Sequence, residues 1–143
     1  MSSPTFCTFR VGADRFGIPV DRVQEVLHAA GLTSVPLAPR AILGLLNLRG
    51  QIVTAVSLRR CLGLADAEGA PEALHVLVRY GGDLVTLVVD AIGDVTPIPL
   101  ERFEPCPDTL RSEVREWIRN VGKLDDGLVL VLDLDRVLQG AMA

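Results

Sequence analysis

The sequence predicts a mainly β protein built from two small barrels with a few short helices, and three observations carry that expectation. Short runs rich in valine, leucine and isoleucine recur along the chain, bounded by glycine-bearing turns. The two halves of the chain resemble each other, which implies one β-unit present twice. Helical periodicity, by contrast, is confined to brief segments.

In chain order, the strand expectations are residues 5–11 (TFCTFRV), 16–20 (FGIPV), 51–58 (QIVTAVSL), 73–80 (ALHVLVRY), 84–90 (LVTLVVD) and 127–134 (GLVLVLDL). Phe6, Thr8 and Arg10 alternate with Cys7, Phe9 and Val11, as in a half-exposed strand, whereas LVTLVV and LVLVL read as buried on both faces. The segment DRVQEVL (21–27) allows a helical turn or two, and Pro39 in PRAILGLL suits a first helical position. Residues 108–120 (DTLRSEVREWIRN) predict the best helix. Asp108 would cap it, and Leu110, Val114, Trp117 and Ile118 would form one face covering a sheet. The Ala-, Gly- and acid-rich segment 64–73 reads as a linker between halves 5–63 and 74–139 of one domain, 1–143.

Composition narrows the function classes. A chain of 143 residues with 49% hydrophobic content can bury a substantial core and is not disordered. No apolar run reaches the roughly 18 residues of a membrane span, so direct membrane insertion is not expected. The start, MSSPTFCTFR, has neither the basic region nor the apolar core of an export signal, which makes a cytoplasmic protein the expectation. Net charge is −4, the arginines are scattered, and aromatic content is only 4%, all of which speaks against a nucleic-acid partner. Cys7, Cys61 and Cys106 are dispersed and suit small reduced hydrophobes, with Cys106 expected to be the most exposed. His28 and His75 are isolated, His28 being expected in solvent and His75 in a strand, so no metal is expected. Ser57 lacks a nucleophile elbow and no phosphate-cradling glycine loop is present, so neither an enzyme nor a cofactor is expected.

The repeat sharpens the functional reading. Arg10, Gly12, Asp14, Val20, Asp21 and Val26 recur as Arg79, Gly81, Asp83, Val89, Asp90 and Val95. Further on, Leu48, Leu58, Arg60 and Leu62 recur as Leu124, Leu134, Arg136 and Leu138. Within LLNLRGQIVTAV (45–56), however, Asn47, Arg49 and Gly50 meet Lys123, Asp125 and Asp126. The β-unit forms in its second copy without Asn-x-Arg-Gly, which points to a task peculiar to the first.

These segments resemble a known family. FGIPVDRVQEVL (16–27), VPLAPRAILGLLNLRG (35–50), QIVTAVSLRRCLGL (51–64) and the closing VGKLDDGLVLVLDLDRVL (121–138) are similar, in this order, to the pattern of the CheW-like domain of bacterial chemotaxis. The resemblance covers roughly residues 5–139. It implies two five-stranded SH3-like barrels and a non-catalytic adaptor without cofactors. Such an adaptor would join the cytoplasmic tip of a methyl-accepting chemoreceptor to the regulatory domain of a CheA-type histidine kinase, in arrays at the inner membrane face. A CheW-like adaptor of a type IV pilus or other non-flagellar pathway is the alternative. A small-molecule- or nucleic-acid-binding double barrel is disfavoured by the scattered arginines and few aromatics. The chain departs from the family pattern where a P-V-x-D-L element becomes Thr54-Ala55-Val56-Ser57-Leu58, although Asp133 keeps the acid in the second copy.

The resemblance also implies a partner-binding set. Arg49 would offer a rigid five-donor fork to acidic or carbonyl groups of a partner helix. Equally, it would form an internal ion pair fixing the barrels together, with Asp90 or Asp94 as acid. Gly50 reads as a turn glycine and Asn47 as a local backbone capper, either of which shapes the same groove. Val23 and Glu25 match the receptor-facing segment, yet they recur as Ile92 and Asp94, so core packing of Val23 is an equal reading. Val20, Val23 and Leu27 would form an apolar patch for a receptor helix.

Overall fold

The computed structural model describes residues 3–29, 31–66 and 73–142. Strands β1 (Thr5–Val11) and β2 (Asp14–Pro19) form a hairpin that pairs Phe9 with Phe16. A single 3-10 turn (Val20–Arg22) leads into β3 (Val23–Ala29), followed by the hairpin β4 (Ile42–Leu48) and β5 (Gln51–Ser57) and the short helix α1 (Leu58–Cys61). The second half repeats the plan with β6 (Ala73–Tyr80), β7 (Asp83–Val89), β8 (Ala91–Pro97), β9 (Phe103–Glu104) and helix α2 (Ser112–Arg115). It closes with β10 (Ile118–Leu124), β11 (Gly127–Leu132) and α3 (Leu134–Ala141). Of the expected linker 64–73, residues 67–72 lie outside the described residues.

The strands assort across the halves. One sheet runs β8-β1-β2-β11-β10-β9 and the other β3-β6-β7-β5-β4, so each draws on both halves of the sequence. Four pairings make the exchange, and two of them are parallel: β2 with β11 (Phe16 opposite Leu130) and β5 with β7 (Thr54 opposite Val85), which occupy matching places in the repeat. The two-residue β9 has a counterpart in the five-stranded sheet, the single bridge between Thr33 and Leu45.

A shared core holds the sheets together. Phe9, Phe16 and Ile18 from one sheet join Val56, Val76 and Leu87 from the other, with Leu58 on α1, Leu62 at its end, and Val137 and Leu138 on α3. Burying each such side chain contributes about 1.5–3 kcal/mol, so this joint cluster outweighs any single polar contact between the sheets. A satellite cluster of Phe6, Ile98, Val129 and Val131 packs against the six-stranded sheet. There Gly122 admits Ile98, whose Cδ1 would lie 2.9 Å from an added Cβ.

The mainly β class is as the sequence predicts, but three helical expectations are corrected. Residues 21–27 form only the 3-10 turn and then β3, which pairs along β6. After Pro39 the chain makes one turn and enters β4, where Gly44, a poor helix former, lets the backbone meet Thr33. Residues 108–120 keep helix only at Ser112–Arg115, with no side-chain cap, and Ile118 already pairs with Leu132 in β10. A helix this short is marginal alone, and pairing with β11 satisfies more backbone groups. Trp117 keeps a bridging role by donating its indole N–H to the Cys61 carbonyl at 3.1 Å. The expected alternation in β1 is also corrected: Phe6, Cys7, Thr8 and Phe9 are all buried, because β1 lies between β2 and β8 under two packed faces.

The departure at Ser57 has a local explanation. Ser57 is the N-cap of α1 and its hydroxyl accepts from the Arg60 N–H at 3.2 Å, while Asp133 caps α3 by accepting from the Arg136 N–H at 3.3 Å. Serine and aspartate are comparable caps. Ser57→Ala should therefore cost about 1 kcal/mol, a drop of about 3 °C in melting temperature, and Ser57→Asp should restore it, as calorimetry of both variants will check. Thr54 lies in β5, an interior strand, where proline would withdraw a ladder donor.

Candidate functional site

The β4–β5 hairpin closes through Arg49 and Gly50, which have φ of 52° and 84° between the paired Leu48 and Gln51. Positive φ at both central residues is the turn whose twist matches the flanking strands. Gly50 takes it freely, whereas Arg49 is a side chain held in a sparsely populated region. Asn47 supports the turn, its Oδ1 accepting the Gly50 N–H at 3.0 Å. The corresponding β10–β11 turn uses Asp125 and Asp126 and moves the positive φ to Gly127 (138°). The two copies thus solve the same turn differently, and the first does so with an outward arginine, its side chain 69% exposed.

Arg49 Nη2 donates to Glu25 Oε1 in an ion pair. Glu25 belongs to β3 and Arg49 to the end of β4–β5, which are opposite edges of the five-stranded sheet. The pair therefore draws the two edges of one sheet together and does not clamp one sheet to the other. The hydrogen bond to Glu25, then its charge, raises the Arg49 pKa above its ordinary value.

The inter-sheet clamp expected of Arg49 is held by Arg59. Its Nε and Nη2 donate to Asp90 at 2.8 and 2.7 Å, and the Gly12 N–H donates to the same carboxylate at 2.7 Å. Burial pushes the Asp90 carboxyl up, but the Arg59 and Gly12 hydrogen bonds together hold it below the usual carboxylate value. At the related junction Arg22 donates to Asp135 at 2.7 Å and to the Arg79 carbonyl at 3.2 Å. Asp94 offers its backbone carbonyl to the Thr8 hydroxyl at 2.6 Å. Arg59 and Asp135 occupy matching repeat positions with opposite charge, which is the sequence signal that marks both as junction residues.

On β3 a bulge between Val23 and Glu25 separates their environments. Val23 packs against the joint core, Glu25 and Leu27 are half-buried, and the exposed aliphatic residues are Val20 (38%) and Val26 (41%). At the hairpin end Ile52, paired with Asn47, is 60% exposed. Val26 is the exposed residue that helical reading of 21–27 misses, and strand alternation corrected for the bulge would have found it. The candidate residues are thus the Glu25–Arg49 pair, Val20 and Val26 at and before β3, and Asn47 and Ile52 at the hairpin.

Chemistry elsewhere is sparse. Among the described residues no group of three or more His, Cys, Asp or Glu side chains is placed to hold a metal ion, and no helix is long and apolar enough to cross a membrane. Burial pushes the half-buried Cys61 thiol up to about 11, so it is a poor nucleophile at neutral pH. His75 is fully buried in β6, where its Nδ1 shares a 2.9 Å hydrogen bond with Thr86 Oγ1 and its Nε2 has no partner among the described residues.

Burial lowers the His75 pKa from its ordinary 6.5. The folded state binds the proton more weakly than the unfolded state, so stability is complete above pH 6.5 and declines below it. The decline has a slope of up to about 1.4 kcal/mol per pH unit. His75→Phe, which copies Phe6 at the matching repeat position, should flatten this slope in urea titrations across the window.

Comparison with known proteins fits this geometry. The model of the CheW-like domain family matches residues 5–142. The chain is 28% identical to chemotaxis protein CheW of Helicobacter pylori, over 94% of this chain and 81% of that protein. It is 29% identical to chemotaxis protein CheW of Rhizobium meliloti, over 90% and 83%. The crystal structure of the scaffolding protein TtCheW from Thermoanaerobacter tengcongensis has the same fold, with a TM-score of 0.83 and 24% identity over 94% of this chain and 92% of that one.

Proposed function

Since the chain belongs to the CheW-like domain family, a group of non-catalytic chemotaxis scaffold proteins, we propose that it couples the cytoplasmic tip of a methyl-accepting chemoreceptor to the regulatory domain of a CheA-type histidine kinase. The observation that carries this reading is Arg49, largely exposed on the β4–β5 turn and paired with Glu25, while Val20, Val26 and Ile52 are further exposed side chains of the same half. Arg49 is held at positive φ on a two-residue turn, so its fork is presented with little backbone freedom. Exposed aliphatic residues of this half supply area for a partner helix, and the charges set its register. Asn47 and Gly50 shape the turn, while Val23 and Leu27 are partly buried side chains of β3 itself. Such an adaptor works by holding two proteins together, so that a change in one biases the other. It would act in receptor arrays at the cytoplasmic face of the inner membrane.

Titration of the chain against a CheA-type regulatory domain and, separately, a soluble chemoreceptor tip tests the proposal. Both should bind, and together they should form a ternary complex. No binding to either at about 50 µM, where interactions of about −6 kcal/mol still register, would refute it.

A further inference from the structure

We propose that two copies of the chain can exchange halves, so that residues 3–66 of one copy and residues 73–142 of the other complete both sheets. The strand assortment carries this. Every inter-half ladder, β1 with β8, β2 with β11, β3 with β6 and β5 with β7, joins segments on opposite sides of residues 67–72. The ion pairs Arg59–Asp90 and Arg22–Asp135 and the Trp117–Cys61 hydrogen bond also cross between the halves. Without its complement, the first half keeps the hairpins β1–β2 and β4–β5, and the second keeps β6–β7 and β9–β10–β11. Isolated hairpins are marginal in water, so each half needs the other's edges and apolar face.

A second copy offers a half with the same edges, the same charges and the same core side chains. The closed chain and the exchanged dimer would therefore make identical contacts within each completed unit and differ chiefly in how the halves are tethered. Covalent tethering favours the closed form in dilute solution, so exchange grows when chains fold together at high concentration. Exchange of identical elements is a low-cost route to dimers.

Charge reversal in trans tests it. One chain carries Arg59→Asp and the other Asp90→Arg, so a closed chain or a homodimer of either variant opposes like charges at this junction. In the exchanged heterodimer, one unit carries the reversed pair and the other the original pair. After refolding the two variants together near millimolar concentration, native mass spectrometry should find the heterodimer exceeding either homodimer by about tenfold. Refolded wild-type chains, half of them isotope-labelled, should give mixed dimers that do not scramble when folded dimers of each label are combined. The wild-type arm also decides the matter if a variant fails to fold. Monomers alone from wild-type chains, dimers that scramble while folded, or a statistical mixture of variant dimers would overturn the proposal.

Discussion

Gly44→Ala should melt about 10 °C below the wild-type chain, a loss of about 3 kcal/mol. An added Cβ would lie 2.4 Å from the Thr33 carbonyl oxygen and 2.9 Å from its carbon, and both are backbone atoms that no rotamer change can move. Gly44 also has φ of 155°, outside the range that side chains readily take. Relief requires Thr33 to retreat, which breaks the reciprocal hydrogen bonds of 2.9 and 2.8 Å between Thr33 and Leu45. That bridge attaches the segment after β3 to β4. Gly31→Ala is the control, since Gly31 has φ of 82° but open space around it. Its cost should be only about 1 kcal/mol, from conformation alone. Equal losses in scanning calorimetry would show that close backbone approach is not the cause.

Arg49→Glu should weaken binding to the partner domain by at least about tenfold, as expected for an arginine near the centre of an interface. Its melting temperature should fall by no more than a few degrees, because the ion pair with Glu25 is exposed and solvent-screened. Arg49→Gly separates charge from turn geometry: it relieves the positive φ yet removes the fork, so it should bind weakly without losing stability. The double exchange Arg49→Glu with Glu25→Arg should restore melting but not binding if the guanidinium touches the partner. Recovery of both would assign the pair to holding the sheet edges. Wild-type affinity in Arg49→Glu would remove this arginine from the partner surface.

Legibility from sequence follows the range of the interactions involved. Strands β1 and β6 begin and end where their apolar runs do, because turns at Gly12 and Gly81 punctuate them locally. Strands β3 and β10 were obscured because Val23, Val26 and Leu27, or Leu110, Val114, Trp117 and Ile118, also fit a helical period. Their strand state comes from distant partners, β6 for β3 and β11 for β10. The bulge after Val23 then shifts which residues face solvent, and Val26 emerges in place of Val23 and Leu27. The hairpin chemistry of Asn47 and Gly50 is local and could be anticipated. Glu25 reads as a charge partner in the sequence, but Asp90 or Asp94 is the acid expected for Arg49, and the structure pairs it with Glu25.

The sequence by itself determined that one β-unit occurs twice, that the chain is mainly β, and that Asn-x-Arg-Gly is a feature of the first copy alone. Those properties live in composition, period and short turns, which act within a few residues. The tertiary structure alone decided that each sheet takes strands from both halves, that Arg59 meets Asp90, and that Arg49 meets Glu25. An alternating apolar strand must be covered, but its pattern does not specify which strand covers it. A guanidinium must find an acid, but the acid within reach is set only when the sheets close.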